Sequence, residues 1–318
     1  MTRRHGAKVT RRVPHLTKEW RHFTAGAILF LAVCIFGHNL AAQTGITSDW
    51  PETEARLIRQ LYGDTEQKRS ALFEIRNFRN EQASRLAVKA LSDPAEIVRA
   101  TAASSVVFLP EPEAANVLVP LLDDKLPFVR REAAYALGVV GHWSATDRLE
   151  TLAVRDKDQE VRTTAVIAIG NIGDLDGINV LVEILKGKQS DKDEMLRRSA
   201  ARSIGQIAQI IRTGKRSVLT PQNFLPDKYK DTGESEIANT SVQLQFIYAV
   251  AVLTQVLKSK NESNDTRREA AFALGEIGST PAVSVLRSHL KSPDPYLAEI
   301  CKEALLKIEK SELIHTLQ

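Results

Sequence analysis

The chain has 318 residues, 43% of them hydrophobic and 26% charged, which is ordinary for a folded protein and fits either two domains or one elongated array. Aromatic residues make up only 6%, and this scarcity favours packed helices over a β-sandwich. The formal net charge of +4 would suit a nucleic-acid partner only if it lay on the folded part of the chain.

The first 42 residues differ from the rest. Residues 1–22 carry seven Lys or Arg and one acid, and residues 25–37 are an uncharged apolar run followed by small residues at Ala41 and Ala42. This order is typical of a secretory signal, and the run is shorter than the roughly 20 residues of a membrane span. We therefore predict a signal peptide over 1–42 and an exported, periplasmic or secreted protein. The alternative is an uncleaved N-terminal anchor that contacts the membrane through residues 24–37.

Without this leader the charge is nearly balanced. The remaining chain has 36 basic and 38 acidic residues, so it lacks the excess of positive charge that binding to phosphates requires. No nucleic-acid partner is predicted. Only Cys301 remains outside the leader, so no disulfide within the chain is expected. Cys301 occupies a position that is alanine in other copies of the repeat described next, which predicts a small buried residue.

A short motif recurs along the rest of the chain. Its clearest form is an Asp, four residues, Val or Leu, and then Arg, as in DPAEIVR at 93–99 and DKDQEVR at 156–162. Successive reference positions are separated by about 30, 31, 32, 35, 70 and 31 residues. A period in this range is the mark of stacked repeats. The reference positions are Arg69, Arg99, Arg130, Arg162, Arg197, Arg267 and Ala298.

Each repeat has the same internal pattern. After the reference arginine, apolar residues recur every three or four positions, as expected for one face of a helix, and a glycine follows in several copies. A second apolar helix precedes each motif. We predict an all-α fold, an α-solenoid of about seven helix hairpins over residues 52–318. The gap of 70 residues predicts an insertion at about 209–244, with a degenerate extra repeat as the alternative.

Two copies, VRREAAYALGVVG at 129–141 and TRREAAFALGEIG at 266–278, carry a resemblance to a known family. Together with the Asp-x4-Val-Arg turn, they resemble the short HEAT-like repeats of phycobilisome lyases and their relatives. The resemblance implies that the second helix of each hairpin lines a concave face. It also implies that arginines and aspartates form a structural ladder between repeats. The ladder residues would be Asp93, Arg99, Asp124, Arg130, Asp156, Arg162, Asp191, Arg197 and Arg267.

Residues just after the ladder arginines are the candidates for binding. They combine aromatic residues with alternating arginines and glutamates, which is the composition of a protein-binding surface, although a solvated helix face remains the alternative. The predicted partner is a protein of unknown identity. The predicted protein-binding residues are Arg131, Glu132, Tyr135, Arg198, Arg202, Arg268, Glu269 and Phe272.

Enzymes built from similar repeats offer a test for catalysis. Deoxyhypusine hydroxylases hold a di-iron centre with His-Glu pairs at the start of the second helix, and the matching pairs here are Arg131-Glu132 and Arg268-Glu269. Arginine at the histidine positions opposes metal binding, so no metal and no cofactor are predicted. The leading interpretation is a non-enzymatic exported scaffold that binds a partner through the concave face. The alternatives are a membrane-tethered assembly factor and, less favoured, a lyase or chaperone-like enzyme.

Overall fold

The structure is a computed structural model that describes residues 49–188, 193–214 and 240–317; side chains are described except those of residues 240–245 and 311–317. The described residues form helices and turns without a β-strand. Contacts divide the chain into residues 1–57 and 58–318. Helix α1, Trp50–Leu61, begins in the first unit and ends in the second. The all-helical class agrees with the prediction.

In the second unit, even-numbered helices alternate with odd-numbered ones, which are shorter than their neighbours except for the 19-residue α11. Two odd-numbered helices continue into a 3-10 helix, at Val88–Ser92 and at Val119–Asp123. The helices are α2 (Thr65–Phe78), α3 (Glu81–Ala87), α4 (Glu96–Ser105), α5 (Glu111–Leu118), α6 (Pro127–Val140), α7 (Thr146–Arg155), α8 (Gln159–Ile172), α9 (Ile178–Lys186), α10 (Glu194–Thr213), α11 (Thr240–Lys258), α12 (Asn264–Ile277), α13 (Val283–Ser288) and α14 (Pro295–Leu317).

Local sequence signals account for where the even-numbered helices begin and end. Asp64 caps α2 by accepting from the Gln67 backbone N–H at 2.9 Å, and the Gln67 side chain accepts from the Asp64 backbone N–H at 3.0 Å. At the other end, α6, α8 and α12 each stop at a glycine with positive φ, as predicted. Such a left-handed residue turns the chain out of the helix at little steric cost because glycine has no Cβ.

Each even-numbered helix packs against the next one, from α2 through α14. The alanines after each ladder arginine are buried there, as the apolar pattern predicts. Small residues allow the helix backbones to approach closely: a Cβ on Gly138 of α6 would lie 2.9 Å from the Ala168 Cα of α8. The apolar interior therefore continues from one helix pair to the next, and Cys301 of α14 lies in it, fully buried. Burial raises the pKa of the Cys301 thiol to about 11.

The ladder arginines join neighbouring turns. Arg99 donates from Nε and Nη2 to both carboxylate oxygens of Asp124, at 2.7 and 3.0 Å, and from Nη1 to the Asp93 carbonyl at 2.9 Å. Arg130 repeats this arrangement with Asp156, at 2.7 and 2.8 Å, and with the carbonyl of Asp124 at 2.8 Å. Each guanidinium thus holds its own turn and the next one with charge-assisted bonds.

Later in the chain the ladder changes partners. Arg162 lies 3.7 Å from Asp193, and the predicted Asp191 is outside the described residues. Arg197 of α10 donates to both oxygens of Glu262, at 3.0 and 2.6 Å, a partner that the sequence motif does not predict. Arg267 donates to the Leu257 carbonyl at 3.1 Å rather than to an acid in the next turn.

The Arg197–Glu262 pair spans the predicted insertion. Helix α10 ends at Thr213, α11 begins at Thr240, and residues 215–239 lie outside the described residues. Helix α10 nevertheless packs directly on α12, as other successive even-numbered helices do. The boundaries of 209–244, and the alternative of a degenerate repeat, stay predictions.

Because of the ladder, the free energy of unfolding should decrease as the pH falls in the acid range. Burial alone would raise the pKa of Asp124 and Asp156, but hydrogen bonds from Arg99 and Arg130 hold both below the ordinary value of 3.8. A depressed pKa in the folded state contributes stability above the unfolded pKa, and this contribution is lost as the pH falls through the folded pKa. We expect the urea midpoint to be nearly level above about pH 5 and to fall below about pH 4.

The matched variants are Asp124→Asn and Asp156→Asn. Each should be less stable than the original chain at neutral pH and should lose less stability on acidification, since one linked carboxylate has been removed. Equal acid slopes in the original and variant proteins, measured by urea unfolding from pH 3 to 7, would contradict this account.

Candidate functional site

The predicted binding residues lie on three even-numbered helices. Each follows its ladder arginine by one, two or five positions, so they form rows beside the ladder. Helix α6 carries Arg131, Glu132 and Tyr135; α10 carries Arg198 and Arg202; and α12 carries Arg268, Glu269 and Phe272. The structure thus places all eight on the series of stacked helices, where they divide into two clusters with different contacts. Their predicted role in binding a protein remains a prediction.

In the first cluster, where α10 meets α12, arginines and acids are paired across the helices. Arg202 donates from Nη1 to both Glu269 oxygens, at 3.2 and 3.1 Å, and its Cζ lies 5.7 Å from the ring centroid of Phe272. Arg198 donates to Asp265 at 3.0 Å. The carboxylate and the ring of α12 therefore hold a guanidinium that comes from the same chain.

Arg268 closes this cluster toward α14. Its Nε and Nη2 each lie 2.9 Å from an Asp294 oxygen, and its Nη1 donates to Asp265 at 2.7 Å. The bonds from Arg268 lower the pKa of Asp294. Its Cζ also lies 5.0 Å from the ring centroid of Tyr296. Arg268 thus bonds to the turn before α14 and lies over an aromatic ring of that helix.

The second cluster, on α6, is more open. Arg131 donates to Glu160 of α8 at 2.5 Å and lies over the Phe128 ring, with its Cζ at 5.3 Å from the centroid. Among the described residues, the partner of Glu132 is Arg131, at a long 3.4 Å from Nη2. Tyr135, one turn further along the helix, is 50% exposed. This cluster presents a carboxylate and an aromatic face to solvent.

Neither cluster fits the iron site that the resemblance to deoxyhypusine hydroxylases implies. The two histidine positions hold Arg131 and Arg268, whose guanidiniums are paired with acids and would repel a metal cation. Glu269 is itself paired with Arg202. Within residues 49–188, 193–214 and 240–317, no group of three or more His, Cys, Asp or Glu is arranged to hold a metal. We therefore derive no reaction step through iron.

Comparison with known proteins identifies the repeats. The family of HEAT repeats matches residues 55–138, 122–205 and 243–318, more than half of the chain. Deoxyhypusine hydroxylase-B of Oryza sativa subsp. japonica is 27% identical over 259 residues, covering 75% of this chain and 86% of that protein. These matches confirm the predicted repeat family.

Two solved structures are similar to this chain at low sequence identity and low TM-score. Human deoxyhypusine hydroxylase in complex with glycerol is 20% identical with a TM-score of 0.37, covering 84% of this chain and 99% of that chain. The complex of CpcE and CpcF of phycocyanin lyase from Nostoc sp. PCC7120 is 18% identical with a TM-score of 0.42, covering 82% and 93%.

These relatives overturn the predicted function. The interpretation as a non-enzymatic scaffold is wrong, because the curated relatives that match most of the chain are named as enzymes. The prediction gave too much weight to the missing His-Glu pairs. It could not use similarity that is spread thinly along the helices rather than concentrated in a motif.

The same relatives contradict the predicted export and its alternative, a membrane anchor. They are named as hydroxylases, not as exported or membrane-tethered proteins. Across the described residues, no helix combines the length and apolarity needed to cross a bilayer. The leader on which the prediction was based, residues 1–42, lies outside the described residues.

Sequence reasoning missed the acids that pair with the arginines directly after the ladder arginines. These acids are Glu160, Asp265 and Asp294. A signal was present, because each lies in or just before the first turn of the helix that follows in the stack. This signal can be used only when it is known which turns become neighbours in the stack. Ser104 was missed for the same reason: it occupies on α4 the position that Arg202 has on α10.

Proposed function

Given that the chain belongs to the HEAT repeat family, we propose that it is an enzyme that acts on a lysine-derived side chain of a protein, the substrate class that its relatives' name describes. The observation that carries this proposal is the extent of the similarity. It covers 86% of the rice hydroxylase and 88% of the Arabidopsis thaliana hydroxylase, at 27% identity in each case. A match to one or two repeats alone would leave most of those proteins uncovered.

The proposed substrate is cationic. Deoxyhypusine is a lysine whose side-chain nitrogen carries an aminobutyl group, so at neutral pH it is a long chain with two positive charges. Carboxylates and aromatic faces on a helix surface suit such a ligand. Helix α6 offers both, in the partly exposed Glu132 and in Tyr135.

We further propose that the seven even-numbered helices, α2 to α14, are the second helices of the seven hairpins expected from the sequence. The repeated period from Arg69 onward supports this count. Such a stack would present the even-numbered helices side by side as one surface for a protein substrate.

The test is to incubate the purified full-length chain in air with a protein that carries deoxyhypusine, with and without added iron(II), and to record the intact mass of the substrate. We expect a product of changed mass. A gain of one oxygen atom identifies hydroxylation, and another change identifies another reaction on the same side chain.

The rice hydroxylase serves as the positive control, and heat-denatured protein serves as the negative control. An unchanged substrate mass in every arm, while the rice enzyme gives product, would contradict the proposed function.

A further inference from the structure

Helices α6 and α12 carry nearly the same surface. On α12 this surface is occupied by a basic side chain of the same chain, whereas on α6 the corresponding position is open. Helices α6 and α12 share the sequence Arg-Arg-Glu-Ala-Ala followed by an aromatic residue. In each, the glutamate and the aromatic residue are three positions apart and so lie on one helix face. The pairs are Glu132 with Tyr135, and Glu269 with Phe272.

On α12 the pair is occupied by the chain itself. Arg202 of α10 bonds to both oxygens of Glu269 and lies over Phe272, and Lys307 of α14 lies 5.5 Å from the centroid of the same ring. The Glu269 side chain is only 12% exposed. This geometry shows what a glutamate–aromatic pair in this position binds: a basic group at the end of an aliphatic chain.

On α6 the corresponding cation is missing. Helix α4 packs on α6 as α10 packs on α12, and Ser104 lies five residues after Arg99, as Arg202 lies five after Arg197. The Ser104 hydroxyl donates to the Thr101 carbonyl at 2.9 Å within its own helix. Serine is too short to reach across to Glu132, and it carries no charge.

The adjacent arginine does not replace that cation. Arg131 bonds to Glu160 at 2.5 Å and stacks on Phe128, which draws it toward α8 and leaves only the 3.4 Å contact with Glu132. Tyr135 is half exposed, in contrast to Phe272, whose ring has two cationic groups within 6 Å of its centroid, those of Arg202 and Lys307.

We propose that Glu132 and Tyr135 form a binding site for the guanidinium or ammonium group of a basic side chain from another polypeptide, in the place that Arg202 takes on α12. The neighbouring Val139 and Ile167, 49% and 40% exposed, offer apolar surface for the aliphatic part of that side chain. This proposal rests on the proposed function, since it identifies where the substrate's cationic side chain would bind.

The test measures binding of short peptides with a single arginine or a single lysine to the full-length chain, by ligand-observed NMR. Removing a cation–π or charge contact of about 1 kcal/mol weakens binding about fivefold. We expect that loss for Glu132→Gln and for Tyr135→Ala, whereas Glu269→Gln, the matched change in the filled pair, should leave binding within about twofold. The better-bound peptide identifies the cation, guanidinium or ammonium.

A second variant fills the site from within. Ser104→Arg should pair with Glu132 as Arg202 pairs with Glu269, and should abolish peptide binding, while Ser104→Ala should not. Because Ser104 is 9% exposed, circular dichroism must show native helicity before Ser104→Arg is interpreted. The Glu132→Gln and Tyr135→Ala results decide the proposal if it does not fold.

Three results would overturn the proposal: no binding of either peptide, unchanged binding in both α6 variants, or equal losses in Glu132→Gln and Glu269→Gln. The last would indicate general electrostatic attraction. The substrate-mass assay separates this proposal from the proposed function. Product formed by a Glu132→Gln variant at the original rate would reject the site and keep the enzyme, whereas peptide binding without product would do the reverse.

Discussion

Replacing Arg197 by alanine is expected to lower the free energy of unfolding by about 3–5 kcal/mol, the range for breaking a buried ion pair. The side chains of Arg197 and Glu262 are only 3% and 4% exposed, so the variant would leave a buried carboxylate without its guanidinium. The carbonyls of Ile184 and Gly187 would also lose a donor, at 3.1 and 2.9 Å. Urea unfolding followed by circular dichroism measures the change.

The matched control is Arg85→Ala, which breaks exposed pairs with Glu81 and Glu113. That loss should be much smaller than the loss in Arg197→Ala, because water and salt screen exposed charges. A double replacement, Arg197→Met with Glu262→Leu, should be less destabilising than Arg197→Ala alone, since no buried charge is left unpaired. Equal effects of Arg197→Ala and Arg85→Ala would show that α10 is not tied to the turn before α12.

Gly275→Ala on α12 is expected to destabilise the chain by about 1–3 kcal/mol, the usual cost of overpacking a core. An added Cβ would lie 2.7 Å from both the Cα and the Cβ of Ala304 on α14, where backbone must move. In an unobstructed helix the same change would stabilise by about 1 kcal/mol, because alanine has the higher helix propensity. The sign of the effect therefore reports on the close approach of the two helices.

The compensating change is Ala304→Gly. In the Gly275→Ala background it removes the Cβ contact, so it should recover part of the lost stability, whereas alone it should destabilise. Thermal unfolding of the four proteins gives the comparison. A stabilised Gly275→Ala variant would mean that α12 and α14 do not approach each other as closely as the structure shows.

The sequence alone predicts the repeating part of the structure well. The spacing of the arginines identifies the even-numbered helices. Asp124 and Asp156 are found as ladder acids because each lies six residues before the arginine of its own repeat; the arginine of the preceding repeat bonds to each of them. These features depend on local chemistry that recurs in successive repeats. The period of the sequence is therefore enough to predict these helices and these ladder acids.

Prediction fails where the partners come from distant parts of the chain. Glu262 follows Arg197 by 65 residues, so no constant spacing marks it. Ala298 stands at a reference position that is arginine in the other copies, and Asp294, in the turn before it, is bonded by Arg268. The contrast between the filled pair on α12 and the open pair on α6 depends on one residue of the preceding even-numbered helix, Arg202 or Ser104, and becomes visible only when the stacking is known.

An experimental structure of the full-length chain with ethylguanidinium bound would test most directly the claim that stacked repeats leave one glutamate–aromatic pair open to a cation. The account predicts the ligand between Glu132 and Tyr135, with Arg202 still bonded to Glu269 and over Phe272. A ligand bound elsewhere, a Glu132 already closed off by its neighbours, or an Arg202 turned away from α12 would contradict it.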